Sequence, residues 1–364
     1  LAEETRAMIR PGQVWLDTAG NPIQAHGGSI LTVGDTFYWY GENKERTRPG
    51  QKIWHWGVRA YASKDLYNWE DLGVIIPPDE TDRASALHPE SKLDRPHIVR
   101  DPNSGRFVCW LKVMEEDGRQ TRTVLVADAV TGPYTIVRTN ERDLVMNAGD
   151  FDVVIDPVDG KGYTYFERVH SELICADLTP DYTDVTGYYT THMPRGRPPQ
   201  VREAPAYFRR GDKHYLVTSG TTHYHPNPSE IAEADSYHGP WATLGDLHPS
   251  DASRTSFNTQ ISSVFKHPTK KDLFIAIGDR WIVDLAEQEG EGFATGEAYG
   301  RFESAFGKLF TDRSLITPEE AAMMGKILYG ADTSKATFVW LPIIFDGDCP
   351  RIDWRDEWTM DEFD

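Results

Sequence analysis

The chain has 364 residues, 39% of them hydrophobic and 12% aromatic, with a net charge of −19. That is enough apolar material for a large core, and the acidity excludes a basic nucleic-acid footprint and disfavours an anionic membrane surface. No apolar run reaches the ~18 residues of a membrane-spanning helix, and Cys109, Cys175 and Cys349 have neither disulfide-framework nor zinc spacing.

Residues 1–22 are mixed and polar and read as an N-terminal arm. A unit then recurs five times, a polar turn followed by a short aromatic strand: GDTFYWYGEN from Gly34, SGRFVCWLKV from Ser104, DGKGYTYFER from Asp159, GDKHYLVTSG from Gly211 and KKDLFIAIGD from Lys270. A second unit, a small residue and an acid followed by an aromatic, trails four of them, as in ASKDLYNW from Ala62. The interval of about 50–70 residues accommodates four strands and their loops per repeat. Sheets that bury their faces only against neighbours stack around an axis, so residues 23–364 are predicted to form one all-β, five-bladed β-propeller. Gly-Asp, Asp-Gly and Asn-Ser-Gly pairs supply the turns. The best helical stretch is Ser314–Met324, where Pro318 and the acids after it suit a helix N-terminus. FVWLPIIF reads as a late strand that completes the ring. Cys109 and Cys175 lie in apolar strand text and read as buried thiols. No leader is visible, and because the chain starts at Leu1 a leader removed earlier is compatible with it.

The blade heads carry the candidate chemistry. Asp94 and Glu203 each stand two residues before a proline and a strand, and Asp150 heads the third blade. Three successive blades thus put an acid at one mouth of the funnel, where independent surface acids have no reason to recur. A partly buried carboxyl there has a raised pKa and suits a general acid. Gln260 heads blade five, and His26 heads blade one, with Glu42 at the end of the next strand. For Gln260 and His26 a structural hydrogen-bonding role is at least as good a reading. For His26 a ligand role toward substrate, water or a central ion is the alternative.

Read in series, NPIQAHGGSIL, FYWYGEN, LDRPHIVRD, REAPAYFRRGDKHYLVTSG, SFNTQISSV, GDRW and FVWLPIIFDGDCPRIDW resemble glycoside hydrolase family 43, and within it the exo-β-1,3-galactanase subgroup. The resemblance runs from about Asn21 to Trp354. It implies an inverting exo-glycosidase acting on an oligo- or polysaccharide, with Glu203 as general acid and Asp94 as the carboxylate that tunes and orients it. Much of the family has an aspartate base at the start of blade one, where this chain has His26-Gly27-Gly28. The subgroup shares that absence, and the resemblance puts Gln260 in the base's place. A neutral amide has negligible basicity near pH 7, so Gln260 either positions the water or acts through its imidic tautomer, with Asp94 or Asp150 as alternative proton acceptors. Glu42 and Asp150 match sugar-contacting positions, and Tyr224, Arg280 and Trp281 are further candidates. No cofactor is implied, although a central calcium ion is compatible with the fold. Glu167-Arg168-Val169-His170 and Thr222-His223-Tyr224 depart from the subgroup's pattern near the sugar pocket. The resemblance implies galactose as the terminal sugar, and these departures open arabinofuranose, galactofuranose and xylose as alternatives. A binding propeller without activity is the rival class.

Overall fold

The computed structural model describes residues 5–364. Five antiparallel sheets follow one another along the chain. Blade one comprises β1 (His26–Val33), β2 (Thr36–Glu42), β3 (Val58–Ser63) and β4 (Glu70–Ile76). Blade two comprises β5 (Lys92–Arg100), β6 (Phe107–Met114), β7 (Gln120–Ala127) and β8 (Thr135–Glu141). Blade three comprises β9 (Ala148–Ile155), β10 (Gly162–Arg168), β11 (Glu172–Leu178) and β12 (Val185–His192). Blade four comprises β13 (Arg202–Arg210), β14 (Lys213–Gly220), β15 (Glu230–Ala234) and β16 (Ala242–Asp246). Blade five has three strands, β17 (Gln260–Lys266), β18 (Phe274–Arg280) and β19 (Thr337–Pro342). The first strands of the blades touch one another in cyclic order and form the inner ring of a five-bladed propeller. The repeated aromatic units are the second strands, β2, β6, β10, β14 and β18.

Those aromatics fill the spaces between blades. Trp39, Tyr61, Phe265, Phe338 and Trp340 share one core between blades one and five. Trp39 packs on Trp340 at 4.6 Å and on Phe338 at 4.5 Å between ring centroids, within the range where aromatic pairs add to area burial. The ring closes at this joint. Ser262 donates its hydroxyl to the Gly28 carbonyl, and backbone bonds tie Gly12 to Phe338 and Ile9 to Trp358. The segment before blade one thus lies along blade five. Cys109 and Cys175 are buried, and Cys349, on the β20–β21 hairpin (Ile344–Asp346 and Cys349–Arg351), is exposed.

Between β18 and β19 the chain inserts four helices: α1 (Leu285–Glu289), α2 (Glu291–Thr295), α3 (Glu297–Lys308) and α4 (Pro318–Gly330). The sequence pattern anticipates only the last. It starts at Pro318, later than the predicted Ser314, because Thr317 caps it: the Thr317 hydroxyl accepts from the Glu320 amide and the Glu320 carboxylate from the Thr317 amide. Ser314 belongs to a short 3₁₀ turn before the cap. The first three helices have Gly290, Gly292, Gly296 and Gly300 in or beside them. Such residues lower helix propensity, and packing of Leu285, Phe302, Ala305 and Phe306 with Met324 and Ile327 of α4 supplies the stability instead.

Candidate active site

Each first strand is irregular at its funnel end. Register shifts separate His26 from Ser29, Asp94 from His97 and Glu203 from Ala206 against the neighbouring second strand. In all three blades the residue after the head is left-handed: Gly27 at φ 60, Arg95 at φ 57 and Ala204 at φ 47. A bulge bends the strand and re-aims its side chains, and a left-handed non-glycine costs about 1–3 kcal/mol unless its surroundings fix it. The surroundings here are carboxylates from the adjoining blade. Asp279 accepts from the Gly27 amide at 2.9 Å, Glu42 from the Arg95 amide at 3.2 Å and Asp150 from the Ala204 amide at 3.2 Å. A Cβ on Gly27 would collide with the Glu42 carboxylate, so blade one requires glycine there.

The heads surround a cavity of about 280 Å³. Of the residues singled out in the sequence, Glu42, Asp94, Asp150, Glu203, Tyr224, Gln260 and Trp281 line it. Two do not, and those assignments are corrected. His26 is fully buried beneath the cavity, bonded to Asp279 (3.1 Å) and Gln24 (3.1 Å) and stacked on Phe338. It is a structural histidine joining blades one and five. Arg280 turns away, donates to the Asn258 and Phe257 carbonyls and packs on Gly12. Arg95, Lys112 and Trp54 line the cavity without having been singled out, and His170 and His223 line it from the two segments that depart from the subgroup's pattern.

Charge is distributed unevenly. Lys112 Nζ bridges Asp150 (2.8 Å) and Asp94 (3.3 Å), and Trp54 Nε1 donates to Asp94 at 2.8 Å. Burial alone would raise the Asp150 pKa, but Lys112 and then Arg95 outweigh it and hold the carboxyl far below the usual range. Burial raises Glu42 to about 8, with Lys44 opposing and Asp94 reinforcing. Glu203 differs from both. It faces the cavity and engages no hydrogen bond or ion pair among the described residues, while Arg202 beside it turns to Thr218. Burial, then the charges of Asp150 and Glu167, push its pKa well above the ordinary glutamate value.

Gln260 is held at three points. Its Oε1 accepts from Arg95 Nη2 (2.7 Å) and Trp281 Nε1 (3.2 Å), and its Nε2 donates to Ser219 (3.1 Å). Two N–H donors on one side fix which atom is the oxygen. The remaining amide N–H is then the hydrogen-bonding group that Gln260 can offer the cavity.

A central calcium does not fit these residues. Among the described residues no three His, Cys, Asp or Glu side chains converge as a ligand set, and the Arg95 guanidinium already lies among Glu42, Asp150, Glu203 and Asp279. A second cation there would be repelled, so no step is derived through a metal.

The sequence profile of glycosyl hydrolases family 43 matches residues 19–290. No curated protein sequence matches significantly. Among solved structures, the chain is similar to a family 43 β-1,3-galactosidase, with 27% identity and a TM-score of 0.76 over 98% of this chain and 64% of that one. It is similar to an exo-β-1,3-galactanase from Clostridium thermocellum, with 25% identity and a TM-score of 0.71 over 96% and 66% of the two chains. It also shares its fold with an exo-β-1,3-galactanase from Phanerochaete chrysosporium solved with β-1,3-galactotriose, at 23% identity and a TM-score of 0.74 over 98% and 68%. The chain therefore spans 64% of the length of the first of these relatives.

Proposed function

The chain belongs to glycoside hydrolase family 43 and is a glycoside hydrolase, and from that premise we propose that it removes terminal galactose from β-1,3-linked galactan with inversion at the anomeric carbon. The observation that carries the reading is the state of Glu203. It is a carboxyl whose protonated form burial and neighbouring negative charge favour, without a hydrogen-bond partner among the described residues, at the wall of a cavity. General acids need that state at neutral pH. The cavity volume lies just under the ~300–1,000 Å³ of sites for drug-sized ligands and suits one sugar ring. The choice of galactose follows the substrates of the related structures.

Glu203 gives its proton to the glycosidic oxygen as the bond to the anomeric carbon breaks, and water attacks the opposite face. Gln260 orients that water or a sugar hydroxyl through its amide N–H. It is not the base: its imidic tautomer would aim an O–H at the N–H groups of Arg95 and Trp281. The water's proton passes instead to a carboxylate. Asp150, held ionised by Lys112 and Arg95, is a weak acceptor, which leaves Asp94 in that role. Glu42 and Tyr224 hold the ring.

The test is galactose release from β-1,3-galactan followed by proton NMR, with α-galactose as the expected first product. Glu203→Gln lowers kcat by about 10²–10⁴, whereas first-formed β-galactose or near-normal turnover by that variant would sink the reading.

A further inference from the structure

The join between the second and third strands differs in length from blade to blade. Residues 115–119 make it in blade two and residues 169–171 in blade three, but in blade one it runs from Asn43 to Gly57 without a strand or helix of its own. Loops of that length inside a compact domain are uncommon and usually functional. This one is closed at its neck by the Asn43 and Trp56 amides, which donate to the Gly57 and Asn43 carbonyls. It crosses to blade two, where the Trp54 amide donates to the Pro89 carbonyl at 2.8 Å and His55 Nε2 to the His88 carbonyl at 2.9 Å.

The Trp54 indole lines the cavity. Its Nε1–H makes the only hydrogen bond that the Asp94 carboxylate accepts among the described residues. That bond falls on Oδ1, while Lys112 Nζ of β6 stands 3.3 Å from Oδ2. Asp94 is thus held from blade one at one oxygen and from blade two at the other, which fixes the plane of the carboxylate. A carboxylate has about four lone-pair sites, so acceptor capacity remains for a water.

A buried cation holds Trp54 in turn. Lys44 is fully buried. Its Nζ donates to the Trp54 carbonyl at 2.7 Å, lies 4.5 Å from the centroid of the Trp54 ring and stands 3.3 Å from Glu42 Oε1. Thr47 donates to the same carbonyl at 2.9 Å. The amide, carbonyl and indole N–H of Trp54 are therefore all engaged. Burying an ammonium group is costly unless it is paired and hydrogen-bonded, and two of the three contacts of this one are with Trp54.

We propose that Trp54 is a positioning residue that aims the Asp94 carboxylate at the attacking water, and that the buried Lys44 fixes Trp54 for this task. The role rests on the glycosidase reading, in which Asp94 takes the water's proton, and deepens it. A base must lie within hydrogen-bond reach of the proton it takes. Trp54→Phe keeps an aromatic wall and removes the N–H, so it loosens the base while the sugar still binds.

The experiment is steady-state hydrolysis of β-1,3-galactobiose by the full chain, by Trp54→Phe, by Lys44→Met and by the double variant, paired with two-dimensional NMR of the indole N–H groups. The chain has 11 tryptophans, and the Trp54 signal is the one that Trp54→Phe removes. Trp54→Phe lowers kcat about 10–100-fold and leaves KM within about threefold. Lys44→Met lowers kcat less, and the double variant is no slower than Trp54→Phe alone, because both act through one contact. The Trp54 indole proton moves upfield in Asp94→Asn and in Lys44→Met. Full kcat in Trp54→Phe, or a loss confined to KM, overturns the positioning role, and additive losses in the double variant remove Lys44 from it. Trp54→Phe leaves Lys44 in place, so its kinetics and the Asp94→Asn signal decide even where Lys44→Met does not fold. A parent that does not cleave β-1,3-galactobiose overturns the galactan reading; the indole signal needs no sugar and separately overturns the contact if Asp94→Asn leaves it unmoved.

Discussion

Blades one and four meet the funnel on the same backbone bulge, each with a left-handed residue after its head. In blade one the head is His26, buried, stacked and bonded at both ring nitrogens. In blade four it is Glu203, which faces the cavity without a partner. The same local geometry therefore serves cohesion in one blade and chemistry in the other. What separates them is the set of neighbours that the adjoining blades supply. A similar division runs through the acids. Asp279, Glu42 and Asp150 each cap the bulge of an adjoining blade; Asp94 and Glu203 have no such duty, and Asp94 is held by Trp54 and Lys112 while Glu203 engages no partner among the described residues. An acid engaged in holding backbone cannot also hold a mobile proton at low energetic cost, so the free one is the chemical candidate.

The sharpest test of this contrast exchanges the expected damage. Glu203→Gln should abolish most hydrolysis yet leave the urea midpoint unchanged or higher, because a buried titratable group is replaced by its neutral isostere. His26→Ala should do the reverse, removing about 2–4 kcal/mol of stability while the folded fraction retains turnover within tenfold. If His26→Ala matched Glu203→Gln in kinetics, the division would collapse. Asp279→Ala comes next, costing about 1–3 kcal/mol through the unsatisfied Gly27 amide. Its signature is faster hydrogen exchange at Gly27, in blade one, although the substitution lies in blade five.

Glu42 gives a pH test of the capping class. Its folded-state pKa of about 8 lies above the unfolded value. It therefore favours folding most at low pH, and that contribution is lost as pH rises from about 4.5 through about 8. Glu42→Gln should flatten the fall in thermal midpoint between pH 5 and 9; an unchanged slope would remove Glu42 as its source. The smallest effect concerns Glu203 itself. Glu167 raises its pKa, so Glu167→Gln should move the alkaline limb of kcat/KM to lower pH by ~0.5–1 unit. A shift to higher pH would contradict the electrostatics of the cavity.

The propeller was legible because its second strands repeat an aromatic strand after a polar turn, a pattern that survives large differences in loop length. Two of the candidate catalytic heads were legible for a related reason. The same acid-x-Pro order stands at Asp94 and at Glu203 and marks the same place in the repeat. The cluster of head acids was read correctly as a cluster, but its internal division was not visible. Nothing in the spacing says that Lys112 neutralises Asp150 while Glu203 stays unpaired. Arg95 lay inside the LDRPHIVRD motif and still passed unnoticed, because its role depends on a positive φ. His26 and Arg280 fell near the right ends of the right strands but project elsewhere, His26 on a bulged strand and Arg280 drawn to the Asn258 and Phe257 carbonyls, neither of which strand alternation encodes. Helices α1 and α2 escaped because five residues each carry no apolar period, and α3 was missed although Ala298, Tyr299, Phe302, Ala305 and Phe306 recur at helical spacing, because Gly300 and Gly307 lower its propensity.

The β20–β21 hairpin offers a practical handle. Two thiols are sealed in the core, so a maleimide reagent reacts at Cys349 alone. Arg210, at the far end of β13 from Glu203, donates to the Gly347 carbonyl in this hairpin, which sets Cys349 on the wall opposite the funnel mouth. Coupling through that one atom would array the enzyme on a bead or sensor chip with every mouth facing solution, ready for carbohydrate chains too large to approach a randomly oriented layer.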